Sequence, residues 1–288
     1  MRGLGLHTEE GLAVTGVRAA LNPEKAKTAT VALLGEMDAL AIPASPSCWQ
    51  ETGAAHCCGH HAQLAGVYGA AIALSDPRVA EALDGQLLFM GVPAEEYGEL
   101  EWKKQLMREG RIAYGGGKCE LIRIGAFDDV QVCVAHHTGF EGIQLGGCSG
   151  NGFLSKIITC TGKASHAAAA PEKGVNALNA AALGLQALGM NRETFRDQDC
   201  VRVHPIMTTG GNLVNVVPDC AVIETLVRGK TNAAIEDAAR KTDRSFLAGA
   251  AALGAGCTIE TMPGYLPYLS QETPEEIVSL VRAALPEE

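Results

Sequence analysis

The sequence predicts an α/β protein in which a mostly parallel sheet, covered by crossover helices, carries a second, smaller α+β domain. Three observations predict it. Short apolar runs alternate with helix-like segments through the first half of the chain. Three of those runs end in polar clusters able to do chemistry. From Ser149 the texture changes to strand, helix, strand, strand, helix, strand.

In the first half, Thr30 to Leu34, Gln86 to Val92 and Val130 to Ala135 read as strands. His60 to Leu74, rich in Ala and Leu at helical spacing, reads as a helix, and Trp102 to Arg108 as a second, weaker one. Tyr114-Gly115-Gly116-Gly117 reads as a flexible loop. In the second half, Leu154 to Cys160, Val201 to Met207, Ala221 to Val227 and Cys257 to Thr261 read as strands. Val175 to Leu188 and Ala233 to Leu253 read as helices. That order is a split βαβ sandwich of about 110 residues. The expected division is 1–148 with 265–288 for the first domain and 149–264 for the insertion. A last helix is expected over Thr273 to Leu285, with Thr273 as N-cap and Pro274 at the first helical position.

Composition narrows the function classes. With 47% hydrophobic and 19% charged residues, the chain is an ordinary globular one, neither disordered nor a coiled coil. Its 33 acidic and 23 basic residues give a net charge of -10 without a local Lys/Arg cluster, which excludes nucleic acid and anionic membrane as expected partners. No apolar run approaches the roughly 20 residues of a membrane span, and a cytoplasmic location is expected. Ten cysteines are scattered without disulfide-framework spacing, so most are expected to be small buried hydrophobes, Cys58 excepted.

The chemistry gathers at strand ends. Gly35-Glu36-Met37-Asp38 follows the first strand, Pro93-Ala94-Glu95-Glu96 the second, and His136-His137 the third. In an open parallel sheet these groups converge on one crevice beyond the carboxyl ends. His56-Cys57-Cys58-Gly59-His60-His61 precedes the Ala-rich helix, and Cys58 and His60, flanking a glycine, can both reach one ion from a tight turn. Glu95-Glu96 suits a metallohydrolase, one carboxylate holding an ion and the other moving protons. A His-rich loop, a solvated acidic turn and a surface His pair are the bland readings of the same residues.

Taken in order, Gly35 to Leu40, His56 to His60, Pro93 to Glu96, His137, Gly162-Lys163-Ala164-Ser165-His166-Ala167 and Gly210 to Pro218 resemble the dinuclear metallopeptidases of family twenty. The branch they resemble holds the aminoacylases, indole-acetyl-amino-acid hydrolases and aminobenzoyl-glutamate hydrolases. The resemblance implies a catalytic domain of the phosphorylase/hydrolase-like, zinc-peptidase type with an inserted ferredoxin-like dimerisation domain, and hence a homodimer. It implies Cys58, His60, Glu96 and His137 as metal ligands and Glu95 as general base, with Asp38 orienting a ligand. His166 then reaches the substrate, and Asn215 and Arg228 contact it, Arg228 at a free carboxylate.

The implied reaction is cleavage of an N-acyl amino acid or aminobenzoyl-glutamate-like amide by water activated at two divalent ions, zinc, manganese or cobalt. The chain departs from the pattern at His61, Cys57 and His136. It also shows neither the helical segment expected before Gly35 nor a late metal-binding His, so it reads as a piece lacking both, its second ion weakly held unless His61 or His136 substitutes. Two rivals remain open: a cysteine-nucleophile hydrolase using Cys58, and a catalytically impaired relative acting as a dimerising module.

Overall fold

The computed structural model describes residues 1–139, 145, 149–268 and 274–285. Two compact units divide the chain, Met1–Ile143 and Gln144–Glu288.

The first unit runs β1 (His7–Leu12), β2 (Gly16–Leu21), β3 (Thr30–Glu36), a short pair β4 (Leu40–Ala41) and β5 (Ala54–Ala55), α1 (His60–Leu74) and α2 (Pro77–Ala82). It continues with β6 (Gln86–Val92), α3 (Leu100–Arg108), α4 (Gly117–Arg123) and β7 (Val132–Ala135). Its main sheet has the order β1-β2-β6-β3-β7. The three expected strands are adjacent and parallel, so their carboxyl ends open on the same side. The antiparallel hairpin β1–β2, paired to β6 through β2, extends the sheet. Its outer strand, His7-Thr8-Glu9-Glu10-Gly11-Leu12, carries too few apolar residues to announce itself.

Both faces of the sheet are covered. Phe89 with Ala19 and Leu21 packs against Val67 and Ala71 of α1, while Ala32, Leu34, Leu88 and Met90 pack against Leu121 of α4. This two-sided burial is why β3 and β6 are near-continuous apolar runs. The edge strand β7 is different: Val132 and Val134 are exposed.

The glycine run before α4 is not a free loop. Gly115, Gly116 and Gly117 are buried, and a Cβ at Gly117 would overlap the Pro93 carbonyl oxygen. Only glycine lets the start of α4 lie against the end of β6, which carries Lys118 to the strand ends. Gly117→Ala is therefore expected to destabilise the protein by about 1–3 kcal/mol, because a backbone oxygen must move. Urea denaturation reads this out as a lower midpoint at unchanged slope.

The second unit runs β8 (Gly152–Thr161), α5 (Ala177–Asn191), β9 (Arg202–Val203), β10 (Ile206–Thr209), β11 (Cys220–Gly229), α6 (Asn232–Ala252), β12 (Gly256–Pro263) and α7 (Glu275–Ala284). Its antiparallel sheet has the order β10-β11-β8-β12, the ferredoxin-like arrangement of two interleaved βαβ halves. Helices α5 and α6 pack through Ala177, Ala181, Ala238 and Phe246 onto Ile158, Ile223 and Val227 of the sheet.

Three local readings change. The expected strand Val201 to Met207 is two short strands, because His204-Pro205 interrupts it and proline cannot donate to a ladder. The last helix begins at Glu275 with Pro274 outside it as N-cap; Thr273 lies outside the described residues. Among the described cysteines only Cys160 is fully buried, while Cys57, Cys133 and Cys200 are exposed, so the buried-hydrophobe reading was too broad. Among the described residues, no helix is long and apolar enough to cross a membrane.

Candidate metal centre

The strand-end clusters of the first unit meet. Gly59 adopts φ +88°, and a Cβ there would collide with the Thr138 side chain, so glycine is required for the turn that leads into α1. That turn leaves Cys58 before the helix and places His60 at its first residue, only 1% exposed. The β6 end turns sharply as well. Ala94 and Tyr97, either side of Glu95-Glu96, both have φ +54°, a conformation L-residues adopt only at an energetic cost.

His60 Nδ1 lies 2.9 Å from the Asp38 carbonyl oxygen, so Nδ1–H donates to it and Nε2 is left with a lone pair. That Nε2 faces Glu36 Oε2 at 3.1 Å and Glu95 Oε2 at 3.9 Å. His137 repeats the pattern: Nδ1–H donates to the Thr138 carbonyl at 2.9 Å, and Nε2 lies 3.5 Å from Cys58 Sγ and 4.0 Å from Glu36 Oε2. The two imidazoles thus turn their second nitrogens into one cluster, His60 Nε2 toward carboxylates and His137 Nε2 toward the Cys58 thiol. Glu36 Oε2, Asp38 Oδ1, His60 Nε2 and Glu96 Oε1 are buried without a hydrogen-bond partner. Lone pairs facing lone pairs in a buried site repel unless a cation lies among them.

Donor atoms of Cys58, His60 and His137 lie within 4.8 Å of one another, as do those of Glu36, His60 and Glu95. Mixed S, N and O donors suit zinc and its neighbours, so these residues fit divalent ions. Glu96 is in neither group; its Oε1 is buried without a partner, and its carboxylate acts on the Cys58 thiol. Asp38 Oδ2 accepts from the Glu96 backbone N–H at 2.8 Å, which ties the first strand end to the second. Burial, and then the Glu96, Glu95 and Glu36 carboxylates, push the Cys58 thiol up to about 12. Nucleophilic cysteines need electropositive surroundings; this one has the opposite, which disfavours the cysteine-hydrolase reading.

Two residues that sequence reasoning passed over shape this site. Glu36, the last residue of β3 and 5% exposed, accepts from the Lys118 ammonium through Oε1. Lys118 also lies 3.8 Å from Glu95 Oε1. The available signal for Glu36 was its place at the end of a buried strand, two residues before Asp38; Lys118 had only the glycines before it. Burial raises the Glu95 carboxyl above its usual range, Lys118 opposes the shift, and Glu36, Glu96 and Asp38 add to it.

The neighbouring histidines stand outside this cluster. His136 packs toward α1, where a Cβ at Gly66 would come within 2.6 Å of its ring. His61 lies against His56, ring centroids 5.5 Å apart.

The other expected site residues lie in the second unit. His166 is exposed, its Nδ1 accepting from the N–H groups of Ala168 and Ala169 at 3.2 and 3.1 Å, which leaves Nε2 as the outward, proton-bearing nitrogen. Asn215 is its neighbour, since the Asn215 carbonyl accepts from Ala167 N–H and His166 pairs with Val216. Arg228 is not brought to them. It stands near the far end of β11 with its guanidinium 5.5 Å from the Phe153 ring, about 27 Å along the strand from Cys220, where that loop joins.

Residues 150–245 match the peptidase dimerisation domain of the M20 family. Curated relatives include the Xaa-Arg dipeptidase of Homo sapiens, 32% identical over 75% of this chain and 45% of that protein. Another is a p-aminobenzoyl-glutamate hydrolase subunit of Escherichia coli (strain K12), 31% identical over 69% of this chain and 38% of the relative. An aminobenzoyl-glutamate utilization protein from Klebsiella pneumoniae has the same fold, with TM-score 0.65 and 22% identity over 98% of this chain and 72% of that one. A dinuclear metal binding peptidase of the M20 family from Bacillus subtilis superposes with TM-score 0.56 at 22% identity, over 98% of this chain and 70% of that one. Residues 150–245 are thus an M20 peptidase dimerisation domain, and most of the chain is similar to peptidases and amidohydrolases of that family. The chain spans about half the length, or less, of the curated relatives it matches.

Proposed function

We propose that this chain carries the metal centre of an amidohydrolase that cleaves the amide bond of N-acyl amino acids or aminobenzoyl-glutamate-like substrates. One observation carries the reading: two imidazole nitrogens, a thiol and unpartnered carboxylate oxygens converge where the ends of β3, β6 and β7 meet the turn before α1. Cys58, His60, Glu96 and His137 would hold two divalent ions, zinc, manganese or cobalt, with Asp38 fixing His60 and Glu96. Such ions supply Lewis acidity and lower the pKa of water. Glu95, with its raised pKa, accepts the proton of the attacking water and returns it to the departing amine nitrogen. His166 Nε2–H stabilises the oxyanion, and Asn215 contacts the substrate.

Arg228 is a carboxylate contact in this reading. A homodimer through the insertion 149–264, with 1–148 and 265–288 forming the metal domain, is the matching assembly, and the cytoplasm the matching compartment.

The test pairs zinc and manganese titration by calorimetry with a hydrolysis screen over acetylated, aromatic-acylated and aminobenzoyl-linked amino acids. Metal binding with turnover that EDTA abolishes and added ion restores is expected. Turnover that survives EDTA would sink the metal reading, and tight metal binding without hydrolysis of any acylated amino acid would sink the substrate class.

A further inference from the structure

The first unit holds a cavity of about 390 Å³ whose wall includes Asp38 and Glu96, a size suited to a small ligand. Leu40, Trp102, Leu106, Ile112 and Tyr114 supply its apolar lining. Lys103 is the single basic residue among those lining it, and only 4% of that residue is exposed. Its ammonium rests 4.6 Å from the centre of the Tyr97 ring. Among the described residues no ion pair joins it to a carboxylate.

The acids around the cavity have other partners, stand in solvent or, as Asp38 Oδ1 and Glu96 Oε1 do, belong to the unpartnered oxygens of the candidate metal cluster. Glu120 binds Arg123 and accepts from the N–H groups of Ala113 and Tyr114. Asp38 accepts from Glu96 N–H, and Glu99 is exposed. Burial holds Lys103 down to about 8, opposed by the more distant charges of Asp38 and Glu99. A buried ammonium with an aromatic face but no counter-ion is unfavourable by itself. Set in the wall of an apolar cavity, it is a recognition element awaiting an anion.

We propose that this cavity binds a small carboxylic acid with an aromatic or aliphatic body, its carboxylate anchored by Lys103. A carboxylate there neutralises the ammonium while the body displaces water from Leu106 and Ile112. The proposal is independent of the hydrolase reading, since it requires neither metal nor turnover.

Chelator-treated full-length chain is titrated with phenylacetate and with its neutral isostere phenylacetamide, by calorimetry and by the fluorescence of Trp102. Without metal, no ion competes for the acid. Phenylacetate is expected to bind about tenfold or more tighter than the amide, the usual worth of a charge-assisted hydrogen bond. Lys103→Met is expected to fold with an undiminished melting temperature, because an apolar isostere replaces an unpaired buried charge, and to bind the two ligands within about twofold of each other. Ile112→Trp, which fills the cavity, should weaken both. Equal affinity for acid and amide in the unaltered chain, no saturable binding of either, or discrimination that persists in Lys103→Met overturns the proposal. So does a Lys103→Met chain that fails to fold, since the lysine would then be a structural element.

Discussion

Glu95→Gln is expected to lower turnover of a hydrolysed acyl-amino acid by about 10²- to 10⁴-fold, the range a positioned general base contributes, while metal content stays unchanged. The site explains both halves. Glu95 is held above the usual carboxylate range by burial first and by three neighbouring carboxylates after it, with Lys118 pulling the other way, and such tuning suits a group that takes and returns a proton near neutral pH. Glutamine keeps the shape and can neither accept nor deliver that proton.

Metal content is the discriminating measurement, because Glu95 Oε2 also lies within the Glu36–His60 donor cluster. A fall in bound ion alongside turnover would move Glu95 from proton carrier to ligand. Lys118→Met is the companion variant: it removes the cation that opposes Glu95's upward shift, so the acidic limb of the pH–rate profile should move to higher pH. The sign follows from the position of the charge, since losing a nearby ammonium makes the ionised carboxylate harder to form. An unmoved limb would mean that another group sets it.

Much of this site was legible because strand ends are legible. Buried parallel strands are short apolar runs, and the residues just after each run must lie at the same edge of the sheet; hence Asp38, Glu95-Glu96 and His136-His137 could be placed together before any coordinates. The choice between His136 and His137 could not come from the alternation alone; it is made in the fold by Gly66, whose missing side chain accepts the His136 ring. Glu36 stood in the polar cluster after the first apolar run but received no role, because the resemblance places the acid of that strand end at Asp38; in the fold the strand runs on to Glu36. Lys118 was hidden because its position depends on Gly117 passing under Pro93, a contact between segments 24 residues apart. Lys103 was hidden in a helix rich in charged residues, of which Glu101 and Arg108 are exposed. The hairpin β1–β2 was missed for the reverse reason, its outer strand being too polar to show a pattern.

Cys58→Ser is expected to weaken binding of the first ion by more than about 100-fold, beyond the 10–100-fold that losing an outer partner of a ligand costs, because a hydroxyl replaces a thiolate. Proton release makes the test specific to ligation. Burial and the Glu96, Glu95 and Glu36 charges hold the thiol at about 12, so at pH 7 to 8 the metal-free site carries the proton on sulfur. Only thiolate binds an ion, and each metal taken up must therefore expel that proton. The affinity of the unaltered chain should rise with pH, one proton more steeply than that of Cys58→Ser. Calorimetry in two buffers of different ionisation enthalpy counts the protons directly. His137→Ala, which removes the nitrogen 3.5 Å from the same sulfur, should weaken the ion yet keep the Cys58 proton in the count. Equal proton release from Cys58→Ser and the unaltered chain, with equal affinity, would leave the thiol outside the metal centre and reduce the donor set at the strand ends to imidazoles and carboxylates.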